Sequence, residues 1–360
     1  MSSNIYTTSL YKDVPPFTLP IISNKTLKHL VVIHRHGDRM SINPSHTSLK
    51  APDGHFYEPG ELTVKGKSQL TYLGKEMRKY VTQYKPLFSQ INNKTIKTRS
   101  TNVGRTITSA LYFLSAFLEQ SATMNSETFE VRSEDKENML ISIEKRHNTI
   151  VTENRKTCDE VFLANPKIVE LYQKYCRVYN ISPKEEKYSN QIVNMCDTFN
   201  LFVCNDIPIQ VNDKGETITP DDMKFAESIG EESFEIVFGE RRVLGVFANE
   251  FLGDIVNDVE NSIFGEPKEK CEMHLYSAHD VTLFMVLKFL GFKVDKWVPL
   301  ASYIILEIFE DGDGKYVVRL SYNSQVLKLK CQGESELCEW DVFKGYVKET
   351  TKELLEDIQL

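Results

Sequence analysis

The stretch 31–44, VVIHRHGDRMSINP, sets two histidines, two arginines and an aspartate around one glycine within six positions, His34 to Arg39. Planar guanidinium forks grip the oxygens of a phosphomonoester dianion in pairs, which a point-charge ammonium does not do. Arg35 and Arg39 are therefore expected to hold a phosphate. His36 between them is expected to attack phosphorus in line and carry a covalent phosphoryl group, a reaction open to neutral imidazole. Gly37 is expected to let the backbone pass close to the ligand.

Two later corners carry matching chemistry. Arg99-Ser100-Thr101-Asn102 stands between a short strand expected at 96–98 and a helical stripe of Val103, Ile107, Leu111, Leu114 and Leu118. Arg99 is expected to supply a third guanidinium, whereas Arg105, on the helix face, is expected to pair with neighbours or water. His279 and Asp280 follow the strand-like MHLYS at 273–277 and open a second helical stripe. An aspartate there can serve as an N-cap. Phosphoryl transfer also needs an acid for the departing alkoxide, so His279 is expected to bind phosphate and Asp280 to give the proton.

The elements that must position these residues follow from periodicity. Leu30 to Ile33 reads as a buried parallel strand, and the carboxyl edge of such a sheet is where loops and helix N-termini meet ligands. A helix starts at Thr63, with Leu70, Leu73, Met77, Tyr80, Val81 and Tyr84 on one face. Further strands are expected at 127–132 and in a hairpin, 304–309 with 316–322, whose Asp311 to Gly314 tip is too short for a calcium loop. A helix is expected over 340–358. Ser41 to Gly60 reads as a rim loop with His46 and His55 exposed on it. The division expected is an α/β catalytic core at 1–133 and 241–360, with a mostly helical cap at 134–240 that sets substrate choice.

With 360 residues and a net charge of −8, the chain can bury a large core and offers no basic face for nucleic acid or anionic membrane. No apolar run is long enough to span a bilayer, and Met1 to Pro20 resembles neither a signal nor a transit peptide. The compartment stays open between cytoplasmic and lumenal or secreted from a trimmed precursor. The seven cysteines show no paired two-residue spacing, so no metal site is expected. Cys331 and Cys338 bracket a short loop and are either a disulfide or two thiols. The sequons at Asn24, Asn93 and Asn180 decide nothing about compartment.

In three ordered blocks, VVIHRHGDRMSINP, RSTNVGRTITSA and YSAHDVTLFMVLKFLGF, the chain resembles the histidine acid phosphatase family; LTVKGKSQLTYLGKEMRKY and PLASYIILEIF extend the similarity. The resemblance implies His36 as phosphorylated nucleophile, Arg35, Arg39, Arg99 and His279 as phosphate clamp, and Asp280 as proton donor. It implies an α/β fold, a mixed, mostly parallel sheet flanked by helices like that of phosphoglycerate mutase, with an inserted helical cap. It further implies no metal or organic cofactor, an acidic pH optimum, and a small phosphomonoester substrate such as lysophosphatidate or a sugar phosphate. HDVT, Lys296-Trp297 and the Cys331 to Cys338 loop most resemble the lysophosphatidic acid phosphatase branch. Met40-Ser41 and Val281 depart from the common Thr-Pro and Thr, and neither change removes a reacting group. The alternatives are a phosphoglycerate-mutase-like phosphotransferase and a silent phosphate-binding relative.

Overall fold

The computed structural model describes residues 14–42, 54–84, 92, 94–140, 148–183, 188–267 and 270–356. His46, Asn93 and the last residues of the expected C-terminal helix lie outside them. The centre is a mixed eight-stranded sheet. Strand β1 (Thr26–Arg35) pairs in parallel with β4 (Met273–Ala278), which pairs in parallel with β2 (Ile96–Ser100), and β2 in turn with β3 (Phe129–Val131). On its other side β1 pairs antiparallel with β5 (Tyr303–Glu310), followed by β6 (Tyr316–Tyr322) and, both on β6, β7 (Gln325–Leu327) and β8 (Cys338–Glu339).

β1 is apolar on every residue from Leu30 to Ile33 because both sheet faces are covered. Val31 and Ile33 enter one core, Leu30 and Val32 the other, as the two-residue period of a strand dictates. One layer is α1 (Val64–Val81) and α2 (Gly104–Leu118), packing Leu70, Leu73, Met77, Phe113 and Phe117. The opposite face carries the remaining helices. α3 (Asn148–Leu163) and α4 (Pro166–Tyr179) are separate because Pro166 has no N–H to continue the ladder, and the Asn165 side chain caps the new start. α5 (Tyr188–Cys204) and α6 (Pro220–Phe238) complete the group. From residue 241 onward come α7 (Arg241–Phe247), a π turn (Ala248–Leu252) and α8 (Gly253–Phe264). α9 (Asp280–Phe289) follows β4, and α10 (Trp340–Leu355) closes the chain. Cys331 and Cys338 are joined as a disulfide. Among the described residues no helix is long and apolar enough to cross a membrane.

A buried triangle ties helix to sheet. Arg319 Nε donates to Glu307 Oε2 at 2.6 Å, Arg319 Nη2 donates to Tyr80 Oη at 2.6 Å, and that hydroxyl donates to Glu307 Oε1 at 2.5 Å. Glu307 is fully buried. Removing its cation would strand a carboxylate in the core, so Arg319→Met is expected to cost about 3–5 kcal/mol in urea unfolding. A cost below about 1 kcal/mol would show that Tyr80 suffices to satisfy it.

Candidate active site

Register explains how three distant stretches meet. Arg35 lies opposite Ala278, and Ser277 opposite Ser100, so β1, β4 and β2 end at one level on the carboxyl edge. The loop after β1 is held by its backbone: His36 N donates to Ala278 O at 3.1 Å, and Ala301 N donates to His36 O at 3.0 Å. Gly37 is required by a helix rather than by a ligand. A Cβ there would sit 2.5 Å from the Gly66 carbonyl oxygen and 2.7 Å from Leu70 Cδ2, on the first turns of α1. Thr63 caps that helix and donates to Asp38 Oδ2 at 2.5 Å, while Asn205 donates to Asp38 Oδ1 at 2.8 Å.

His36 is buried with Nδ1 2.8 Å from the Gly37 carbonyl oxygen. A carbonyl only accepts, so Nδ1 carries the proton and Nε2 keeps its lone pair. Burial first, then the charges of Arg105, Arg35 and Arg39 and the ring of His279, hold His36 well below the ordinary imidazole range. The ring is therefore neutral even in mild acid. His279 stands edge-on to it, ring centroids 5.6 Å apart, with Nε2 2.9 Å from Thr101 Oγ1. Burial and Arg105 bring His279 to about 3.

Asp280 opens α9. Its Oδ2 accepts from Arg35 Nη2 at 2.8 Å and Trp297 Nε1 at 2.9 Å, and its Oδ1 accepts from Val281 N at 2.9 Å. Burial pushes this carboxyl up, but Arg35, the Trp297 bond and His279 together outweigh it and the net shift is downward. The group is an anion in this state. Arg39 Nη2 reaches both oxygens of Asp197 on α5, at 3.1 and 3.0 Å, and Ser41 Oγ lies 3.0 Å from Thr198 Oγ1. The α5 helix thus roofs the loop.

The second guanidinium corner differs from expectation. Arg99 lies within β2, not on the turn, and its terminal nitrogens are taken by Asp254 Oδ2 at 2.8 Å and by Asn138. Its guanidinium sits 5.3 and 5.4 Å from the Phe251 and Tyr276 ring centres. The largest positive charges acting on His36 and His279 are those of Arg105, Arg35 and Arg39. Arg105, assigned from sequence to the helix surface, is the strongest of them. Burial and the charge of Arg39 lower Arg105 itself to about 10. Its sequence signal was its place in the first turn of a helix that starts at the ligand edge, the same signal that marks Asp280. Thr101 and Trp297 were noted only as members of a corner and of a resemblance, and Asp197 not at all, because the partner of each depends on which elements pack together.

Among the described residues, the Nε atoms of Arg35, Arg39 and Arg105 are buried without a hydrogen-bond partner. Arg99 Nε shares that state, although its other nitrogens are engaged. Two buried guanidiniums and the half-buried one of Arg105 around one neutral imidazole, with donors to spare, form an environment that an oxyanion would satisfy.

The sequence pattern of the histidine phosphatase superfamily (branch 2) matches residues 26–223, more than half of the chain. A Dictyostelium discoideum protein named probable acid phosphatase is 28% identical over 302 residues, which cover 78% of this chain and 61% of that protein. Mouse lysophosphatidic acid phosphatase type 6 is 24% identical, over 74% of this chain and 62% of its own length. The chain thus spans about three fifths of these relatives. The apo form of Hafnia alvei phytase superposes with a TM-score of 0.65 at 12% identity, covering 93% of this chain and 99% of that one, a likeness of fold. The match over 26–223, carried by a β1 that delivers Arg35, His36 and Arg39 to the sheet's carboxyl edge, means that this chain belongs to the histidine phosphatase superfamily, branch 2.

Proposed function

We propose that the chain is a phosphomonoester hydrolase of the acid phosphatase type, working through a phosphohistidine on His36. The observation that carries this reading is His36 itself: neutral, with Nδ1 committed to Gly37 O and Nε2 left as a lone pair amid Arg35, Arg39 and Arg105. Nε2 attacks phosphorus, the P–O bond to the alcohol breaks, and the leaving oxygen takes a proton from Asp280. Water then attacks the phosphohistidine, giving its proton to the Asp280 carboxylate, and inorganic phosphate departs. Arg35, Arg39, Arg105 and His279 hold the phosphoryl oxygens as charge spreads over them.

Residues 134–240 act as the cap in this reading. Asp197 and Asn205 on or beside α5 grip the phosphate loop, so the same helix couples that loop to whatever alcohol enters beneath it. A cavity of about 410 Å³ opens between α5, α6 and Lys296, with Phe199, Val203 and Met223 on its wall. Lys296 on that wall is paired with Glu231 at 3.4 Å, Glu227 adds a carboxylate, and Lys224 is the second lysine of the lining. We take the substrate to be a small ester with one phosphate; the mouse relative's name places lysophosphatidate among the compounds to screen, beside sugar, inositol and nucleotide phosphates.

The two arginines at the second corner test the reading. Arg105→Ala is expected to lower kcat/KM for an aryl phosphate by roughly 10²–10³, the usual loss of one oxyanion donor. Arg99→Ala is expected to act on stability through Asp254 and to change kcat/KM by less than about tenfold. Steady-state kinetics showing the opposite order would return Arg99 to the phosphate and remove Arg105.

A further inference from the structure

At the other end of β1 and β4 lies a second cluster of chemistry-bearing side chains, which phosphoryl transfer does not use. His29, Cys271 and His274 are all buried, and one ligand atom from each falls within 4.8 Å of the others. Six residues of extended chain separate His29 from Arg35, so the cluster is roughly 20 Å from the phosphate loop. His29 Nε2 is 3.0 Å from His274 Nδ1, and Cys271 Sγ is 3.7 Å from that same nitrogen. A tetrahedral zinc ion with Zn–N near 2.0–2.1 Å and Zn–S near 2.3 Å sets its ligands about 3.3 Å apart for two nitrogens and about 3.6 Å for nitrogen and sulfur.

We propose that His29, Cys271 and His274 bind a zinc ion that fastens the amino ends of β1 and β4 to α8. The atoms around the three ligands are arranged as an outer shell would be. His29 Nδ1 lies 3.1 Å from the Cys271 carbonyl oxygen, so it carries the proton and Nε2 has the lone pair. His274 Nε2 lies 3.9 Å from Asp258 Oδ1 on α8, longer than a hydrogen bond but with a carboxylate on the side where metal-binding imidazoles recruit one, and Cys271 Sγ is 3.7 Å from this nitrogen as well. Ser262 Oγ, also on α8, is 3.3 Å from the sulfur and is one oxygen donor within reach of the fourth position; water is the other.

On binding, the Cys271 S–H bond breaks, a Zn–S bond forms and one proton leaves to solvent. Affinity therefore rises with pH. The expectation from cysteine spacing was that the chain holds no metal. It weighed cysteine pairs alone; Cys271 and His274 stand three positions apart, and His29 arrives from a neighbouring strand.

The full chain should be produced in medium supplemented with cobalt, and separately with zinc. The cobalt form is expected to hold one ion per chain, with tetrahedral visible bands and a near-ultraviolet sulfur-to-cobalt band that vanishes in Cys271→Ser and persists in Cys176→Ser. X-ray absorption of the zinc form is expected to show one sulfur and two imidazoles, a readout that needs no variant to fold. A chain that takes up neither metal, or a zinc shell without sulfur, would overturn the proposal and leave a hydrogen-bonded core cluster. So would a sulfur band that survives Cys271→Ser.

Discussion

His36→Ala is expected to reduce hydrolysis of an aryl phosphate by at least roughly 10⁴-fold with little change in the folded state, because the group removed forms the covalent bond itself. The remaining guanidiniums should still bind inorganic phosphate, so phosphate inhibition of a wild-type assay and phosphate binding by the variant should report similar affinities. Rapid quench of the wild type with an isotopically labelled aryl phosphate should trap label that is stable in base and lost in acid, as phosphohistidine is. Residual turnover within tenfold of wild type, or label that resists acid, would assign the nucleophile to another group. His279 is the control, since it sits 5.6 Å away centroid to centroid and is equally buried. Its alanine variant is expected to keep a trappable phosphoenzyme while losing rate.

Local sequence pattern marks the three strand ends unequally. Both Arg35–His36 and His279–Asp280 were legible because an apolar run announces a buried strand and the polar residues after it have one edge to occupy. The same logic misjudged Arg99 by a residue or two: β2 runs through Ser100, so Arg99 is still in the sheet, where Asp254 of α8 claims it. The helix that follows then brings Arg105 inward on its first turn. Boundaries shift a side chain from one face or end to another, and periodicity locates boundaries poorly. Asp197, Trp297 and Asn205 were illegible for a different reason. Each acquires its partner only when α5, or the segment after α9, folds over the loop, and no local pattern encodes that docking.

The electrostatics of Asp280 lead to a prediction that separates its role from that of the nucleophile. In the free protein it is an acceptor of three hydrogen bonds, held below its ordinary range because Arg35, Trp297 and His279 outweigh burial. A group depressed in this way is protonated only in acid, so kcat/KM, which reports the free enzyme, is expected to fall as pH rises from the acid side. Bound phosphate dianion competes for Arg35 and adds a like charge beside the carboxyl, which raises it. The alkaline limb of kcat is therefore expected at higher pH than that of kcat/KM. His36, kept neutral by burial and three arginines, imposes no loss of nucleophile across mild acid. Asp280→Asn keeps the acceptor oxygen but cannot give the proton, and general-acid catalysis is worth about 10²–10⁴. Alkyl esters, whose alkoxide must be protonated, should lose that much in the phosphorylation step. Aryl esters leave without help, so phosphoenzyme should still form and then accumulate, because the carboxylate that activates water is gone. Equal losses for alkyl and aryl esters, or an alkaline limb that the substitution leaves in place, would make Asp280 a clamp for Arg35 and hand the proton to another group.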